Sequence, residues 1–247
     1  MEFSEQMLVL RVGRFKEADL WVRLLSPSRG MISAFAFGGA RSRRRFVGCL
    51  DLFNEVRVRI RSSRNACLVL EEGLLLAGPG RLRRDSSRLG VARNCADFLA
   101  ALNLGPDGAA AAYKLFMGIL QVLEEADILP PLLPRFFRLR MAADQGWDVD
   151  FERCAHCGNV FGGMGARFWV VPGTVRCLDC PPAEEGMGFS LRSESLEALR
   201  RIRRDAPAFW PGIELSPEAG RECGRAMDAF IQLHVGVGWE SGRFCRV

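Results

Sequence analysis

Arg153-Cys154-Ala155-His156-Cys157-Gly158 is answered, across nineteen intervening residues, by Cys177-Leu178-Asp179-Cys180-Pro181. Two residues between cysteines let a tight turn aim both sulfurs at one point. Two such turns make the tetrahedral four-sulfur cage that zinc prefers. The spacing therefore predicts one structural Zn2+ per chain, held by Cys154, Cys157, Cys177 and Cys180. Four protein ligands close the site and leave no open position for catalysis. His156 lies inside the first pair, where its side chain points away from the metal. Gly158 suits a turn that needs a small residue or positive φ. The β-prone run Phe168-Trp169-Val170-Val171 lies between the pairs among glycines, so residues 150–182 read as a small zinc ribbon with almost no core of its own.

The flanks of this ribbon read as helices. Apolar residues recur at helical spacing from Ser87 to Leu102, and again through Leu115, Ile119, Val122 and Leu123, where Asp107 is placed as a cap and Pro130-Pro131 as a stop. Pro134 fits the first turn of a helix over Arg135–Gln145. Beyond the ribbon, a helix runs from Ser193 to about Arg204. A last one, with Ser216 as N-cap and Pro217 and Glu218 in its first turn, runs to about Val235.

Before Gly78-Pro79-Gly80 the period is that of strands. Met7–Val12, Leu20–Leu25, Met31–Phe37, Glu55–Arg61 and Cys67–Leu76 are five short strands joined by turns, with no crossover helices. They suit an OB-type β-barrel over residues 1–79, followed by an α-helical domain over 80–247 interrupted by the four-cysteine zinc ribbon. An SH3-like barrel has a similar strand count, which by itself separates neither.

Charge is uneven. Residues 1–70 carry 13 Lys/Arg and 6 Asp/Glu, a balance of +7, whereas the remainder carries 21 and 23, a balance of −2. A basic first third predicts a polyanion partner there. In Glu55-Val56-Arg57-Val58-Arg59-Ile60-Arg61, period two sends Val56, Val58 and Ile60 inward and Arg57, Arg59 and Arg61 outward. The arginines are then about 6.6–6.8 Å apart, close to phosphate spacing. The loops carrying Arg14 and Lys16, and Arg41, Arg43, Arg44 and Arg45, complete the candidate DNA-binding set. Among the aromatics near those loops, Trp21 reads as core, while Phe35 and Phe37 fit either core or base stacking.

Nothing points to catalysis. The two histidines, His156 and His234, lie far apart in the sequence, and His234 reads as a packing or surface residue. No Walker loop, G-x-G-x-x-G or G-x-S-x-G is present, and the His-x-Glu of zinc deaminases is missing. No stretch of about 18 uncharged apolar residues occurs, so no membrane is expected. The acidic start lacks the marks of a signal peptide. Nine cysteines, an odd number, do not look like a secreted disulfide framework, and the five single ones (Cys49, Cys67, Cys95, Cys223, Cys245) read as buried free thiols.

The order of parts resembles the RecO family of bacterial DNA-repair and recombination mediators. The resemblance rests on Leu8-Val9-Leu10-Arg11 through Glu17-Ala18-Asp19-Leu20, on Leu24-Leu25-Ser26-Pro27-Ser28-Arg29-Gly30, and on Phe37-Gly38-Gly39-Ala40-Arg41. Farther on it rests on Arg138-Leu139-Arg140 through Gly146-Trp147 and on Phe151-Glu152-Arg153 leading into the first cysteine pair. The basic loop after Ala40 is shorter than the family pattern. The resemblance implies a cytoplasmic, nucleoid-associated, non-enzymatic protein that binds single- and double-stranded DNA and anneals strands. It further implies action with RecR to help RecA replace single-strand-binding protein. A zinc-ribbon transcription or RNA-binding factor is the competing expectation.

Overall fold

The structure is a computed structural model, which describes residues 2–63, 67–183 and 186–247. The chain divides into two compact units, Met1–Leu89 with Asn103–Leu120 and Gly90–Leu102 with Gln121–Val247.

In the first unit β1 (Glu2–Arg14), β2 (Leu20–Ser26), β3 (Gly30–Ala36), β4 (Glu55–Ser62) and β5 (Leu68–Ala77) form a closed barrel in the order β1-β2-β3-β5-β4. β4 closes it by pairing back onto β1 over Glu2–Leu8. β3 and β5 run parallel at Ala34–Leu68 and Phe35–Val69, and every other pair is antiparallel. β1 starts five residues earlier than its apolar run, because Glu2, Ser4 and Gln6 face solvent while their backbone pairs with β4. Alternation fills the interior with Met7, Val9, Val22, Leu24, Ala34, Val56, Val58, Ile60 and Leu70, and Phe46 and Cys49 from the β3–β4 segment plug it. Burying each of these large aliphatic side chains contributes roughly 1.5–3 kcal/mol before chain entropy is set against it.

The turn between β2 and β3 follows from its residues. Ser26 Oγ accepts from the N–H of Ser28 and Arg29, and donates to Glu5. Gly30 has φ +74°, and a Cβ there would lie 2.2 Å from the Leu104 carbonyl oxygen, so only glycine fits. A short helix, α1 (Arg81–Arg84), precedes α2 (Ser86–Leu102) and α3 (Ala109–Glu125). The Asn103–Leu120 stretch belongs to the barrel unit. There Phe116 packs edge-on to Phe53 at 6.0 Å, and Tyr113 Oη donates to Glu55 at 2.7 Å.

The second unit adds α4 (Leu133–Asp144), a small sheet of β6 (Ala166–Trp169), β7 (Thr174–Arg176) and β8 (Gly188–Leu191), then α5 (Ser193–Arg204) and α6 (Pro217–Phe230). Its core joins Phe98 to Phe137 and Phe244, and Phe136 to Trp210. Arg138 is buried here. It donates to Asn94 and Asp228, each at 3.1 Å, and stacks 5.4 Å from the Phe244 ring. A buried guanidinium requires such partners.

The last helix runs to Val235 as expected but with a change of type and a hairpin after it, and two other expectations need correction. The last helix ends as an α-helix at Phe230, widens to a π turn over Ile231–Val235, and leads through Gly236 into a hairpin of β9 (Val237–Glu240) and β10 (Arg243–Arg246). The hairpin escapes a pattern reading because its strands are four residues each and only Ser241-Gly242, both at positive φ, mark the turn. The ribbon sheet extends past residue 182 to β8, and it has a core: Phe168 lies 6.3 Å from Phe151 and 5.8 Å from Phe230. Of the single cysteines, Cys49, Cys95 and Cys223 are buried, but Cys67 is exposed and Cys245 half-buried.

Ser216 does cap α6, accepting from the Ala219 N–H at 3.3 Å, with Glu218 in the first turn. Ser216→Ala should cost about 1 kcal/mol. Urea unfolding of the second unit would register that as a lower midpoint with an unchanged slope.

Candidate metal centre and nucleic-acid interface

The two cysteine turns meet. Cys154 and Cys180 Sγ are 3.8 Å apart, as are Cys157 and Cys177, and Cys177 and Cys180 are 3.2 Å apart. All four sulfurs lie within 4.8 Å of one another. Zn–S bonds of about 2.3 Å in a tetrahedron require sulfur–sulfur edges of about 3.8 Å, so the donor set fits such an ion. Each turn is built locally: Gly158 N–H donates to the Cys154 carbonyl at 2.9 Å, and Cys180 N–H to the Cys177 carbonyl at 3.3 Å. Gly158 takes φ +75°. Burial works against ionisation of Cys154, but backbone N–H groups of Cys157, Cys177 and His156 outweigh it and bring the thiol down to about 6. The Cys177 sulfur, with burial second, pushes Cys180 the other way. His156 supplies only its backbone N–H, to Cys154 Sγ at 3.4 Å, and its side chain stands exposed. His234 closes the ribbon onto the π turn, its Nε2 lying 2.7 Å from the Val170 carbonyl oxygen.

On the barrel, Val56, Val58 and Ile60 are fully buried and Arg57 and Arg61 are exposed, with Arg59 half-exposed. The arginine face is nonetheless largely neutralised. Arg59 bridges Glu2 at 2.7 Å and Glu72 at 2.9 Å, and Arg61 pairs with Glu71 at 2.8 Å. The Arg59 hydrogen bond holds the Glu72 carboxyl below its usual range. Arg57 alone of the three makes no ion pair among the described residues. In the loops, Arg14, Lys16, Arg41, Arg43, Arg44 and Arg45 are all exposed. Arg41 reaches Glu17 at 3.4 Å, and Arg45 donates to the Phe37 carbonyl and lies 5.0 Å from the Phe46 ring. Lys16 lies 5.7 Å from the Phe15 ring. Ala40 N–H donates to Ala18 O at 2.9 Å and Gly38 N–H to Asp19 at 2.8 Å, so the two basic loops form one surface. Trp21 is not core. It alternates with the buried Val22 and faces outward beside Phe35, leaving Phe46 as the interior aromatic.

Two family models match this chain: Recombination protein O N terminal over residues 1–73, and Recombination protein O C terminal over residues 83–242. The DNA repair protein RecO of Oleidesulfovibrio alaskensis is 52% identical, covering 100% of both chains. That of Nitratidesulfovibrio vulgaris is 51% identical over the same full extent. That of Anaeromyxobacter sp. is 31% identical over 96% of this chain and 93% of its own. The chain belongs to the RecO family. Its general role is therefore in DNA repair.

This RecO-family chain has a four-cysteine group able to hold a metal ion, and among its described residues no helix is long and apolar enough to cross a membrane. What a pattern reading of it misses is the acidic set Glu2, Glu71 and Glu72, the outward placement of Trp21, and the exposed ring of Phe15. The acids left one signal: Glu71-Glu72 interrupts the apolar run of the fifth strand, where Glu72 pairs with Arg59 and Glu71 sits at the register shift beside it.

Proposed function

We propose that this protein is a non-enzymatic DNA-binding recombination mediator, which anneals strands and, with RecR, assists RecA loading onto DNA coated by single-strand-binding protein. The barrel order β1-β2-β3-β5-β4 supports reading the first unit as OB-type, whose strand 2–3 face and adjoining loops suit oligonucleotides. The observation that carries the reading is the joined loop surface, where Arg14, Arg43 and Arg44 stand exposed without ion-pair partners among the described residues. Such cations act on phosphate whatever the sequence. The four cysteines would hold one Zn2+, which supplies a closed structural crosslink rather than a reactive water. The second unit, in a stretch whose net charge is −2 beyond residue 70, suits protein partners better than phosphate.

The test is annealing of complementary strands already covered by single-strand-binding protein. Acceleration by the purified protein, equal for unrelated sequences, is the expected result. A protein that leaves coated strands apart yet selects one sequence from a random pool, DNA or RNA, would be a zinc-ribbon transcription or RNA-binding factor instead.

A further inference from the structure

Strand register sets a row of rings on the outside of the barrel. Trp21 on β2 pairs with Gly13 on β1 and with Phe35 on β3. Gly13 has no side chain, and a Cβ there would come 2.2 Å from Trp21 Nε1. The indole thus lies over bare backbone, a seat that any other residue would remove. Phe37, two residues along from Phe35, falls on the same side, and the two rings are 6.2 Å apart and 15° from parallel. Phe15, from the β1–β2 loop, leans on Phe35 at 4.9 Å. Phe15 is 51% exposed and Phe37 47%, while Trp21 and Phe35 are half-buried.

None of these rings belongs to the barrel interior, which Val22, Leu24, Ala34 and Ala36 fill from the same strands. A contiguous apolar surface of this kind, with two rings exposed and two half-buried outside the core, marks an interaction site. Its border is cationic: Arg11 lies 5.6 Å from the Trp21 ring, Lys16 sits over Phe15, and Arg45 is hydrogen-bonded to the Phe37 carbonyl. Rings flanked by cations match a polyanion that also presents flat π faces, which is a strand with unpaired bases. A duplex hides those faces in its own stack.

We propose that Trp21, Phe35 and Phe37 form a base-stacking platform that makes the barrel favour unpaired DNA over duplex. The inference rests on the reading of the barrel as the DNA surface. It assigns the discrimination between strand forms to the rings, and the salt-dependent affinity to the arginines.

The full-length protein is titrated against three fluorescent probes of equal length: oligothymidylate, an abasic strand with the same phosphates, and a duplex. Wild type should bind oligothymidylate about tenfold more tightly than the abasic strand. Phe35→Leu with Phe37→Leu should lose about tenfold on oligothymidylate and nothing on the abasic strand, with an unchanged salt slope. Phe37→Leu alone touches only an exposed ring and should show part of that loss with an unaltered melting curve. Equal wild-type affinity for oligothymidylate and the abasic strand would overturn the platform while leaving phosphate binding standing. An equal loss on both probes in the variants would overturn it too. Failure of wild type to bind any probe would remove the DNA reading of the barrel as well.

Discussion

Cys177→Ser is expected to take the zinc content from one per chain to well below stoichiometric, and to loosen the second unit while the barrel stays folded. Cys177 Sγ lies 3.8 Å from Cys157 and 3.2 Å from Cys180, so it joins the two turns. A serine hydroxyl supplies no thiolate, and the ion would be left three ligands. Metal binding at such sites is coupled to folding, with apparent contributions of about 10–16 kcal/mol in small zinc modules. Only part of that is at stake here, because Phe168 also packs between Phe151 and Phe230. The edge strand β7 should detach first, since it runs into the second cysteine turn and pairs with β6 at only three positions, whereas β6 is also held by β8. The Val170 carbonyl would then lose its tie to His234. Elemental analysis gives the zinc count, and hydrogen exchange separates the units. Fast exchange should appear over residues 151–180 and not over β1–β5. Wild-type protein purified without chelator and found free of zinc would refute the assignment, as would a fully loaded Cys177→Ser.

That centre is legible in the sequence because its information is local. Two residues between cysteines fix a turn, and a thiolate quartet has few other uses. The strand Glu55–Ser62 is legible for the same reason, since alternation of Val56, Val58 and Ile60 fixes what lies inside. Alternation says nothing about what meets the outer face. Arg59 is met by Glu2, on a strand that closes the barrel from the far end of the sequence, and by Glu72 on the next strand. Trp21 reads wrongly as core through a related limit: the size of a ring suggests burial, whereas the buried positions of β2 are set by Val22 and Leu24. The chain-order division at residue 79 also hides a tertiary fact. Asn103–Leu120 groups with the barrel through Phe116 and Tyr113, so a cut after residue 79 would remove the ring against Phe53 and leave Glu55 with Gln6 but without Tyr113.

The ion pairs change which arginines should matter for DNA. Each phosphate neutralised contributes about 0.7 to the salt slope for a single strand, because condensed counterions are released. An arginine already paired with carboxylates must give those up before it can contribute. Arg59 holds two and Arg61 one. Arg43 and Arg44 are exposed, hold none among the described residues, and stand on the loop surface joined to Ala18 and Asp19. Arg43→Ala with Arg44→Ala should therefore flatten the slope by roughly 1.4, and weaken all sequences alike. Arg59→Ala with Arg61→Ala should flatten it by less than half as much, although the two pairs carry the same formal charge. Both variants leave Val58, Ile60 and the loop plug Phe46 in place, so both should fold. The contrast between them is the measurement: log affinity for an unstructured oligonucleotide against log salt, in wild type and the two variants. A strand pair that flattens the slope as much as the loop pair would mean that phosphate displaces Glu2, Glu71 and Glu72 on binding. In that case Glu2→Gln with Glu72→Gln, which frees Arg59 beforehand, should tighten binding; if it does not, the acids have no part in setting affinity.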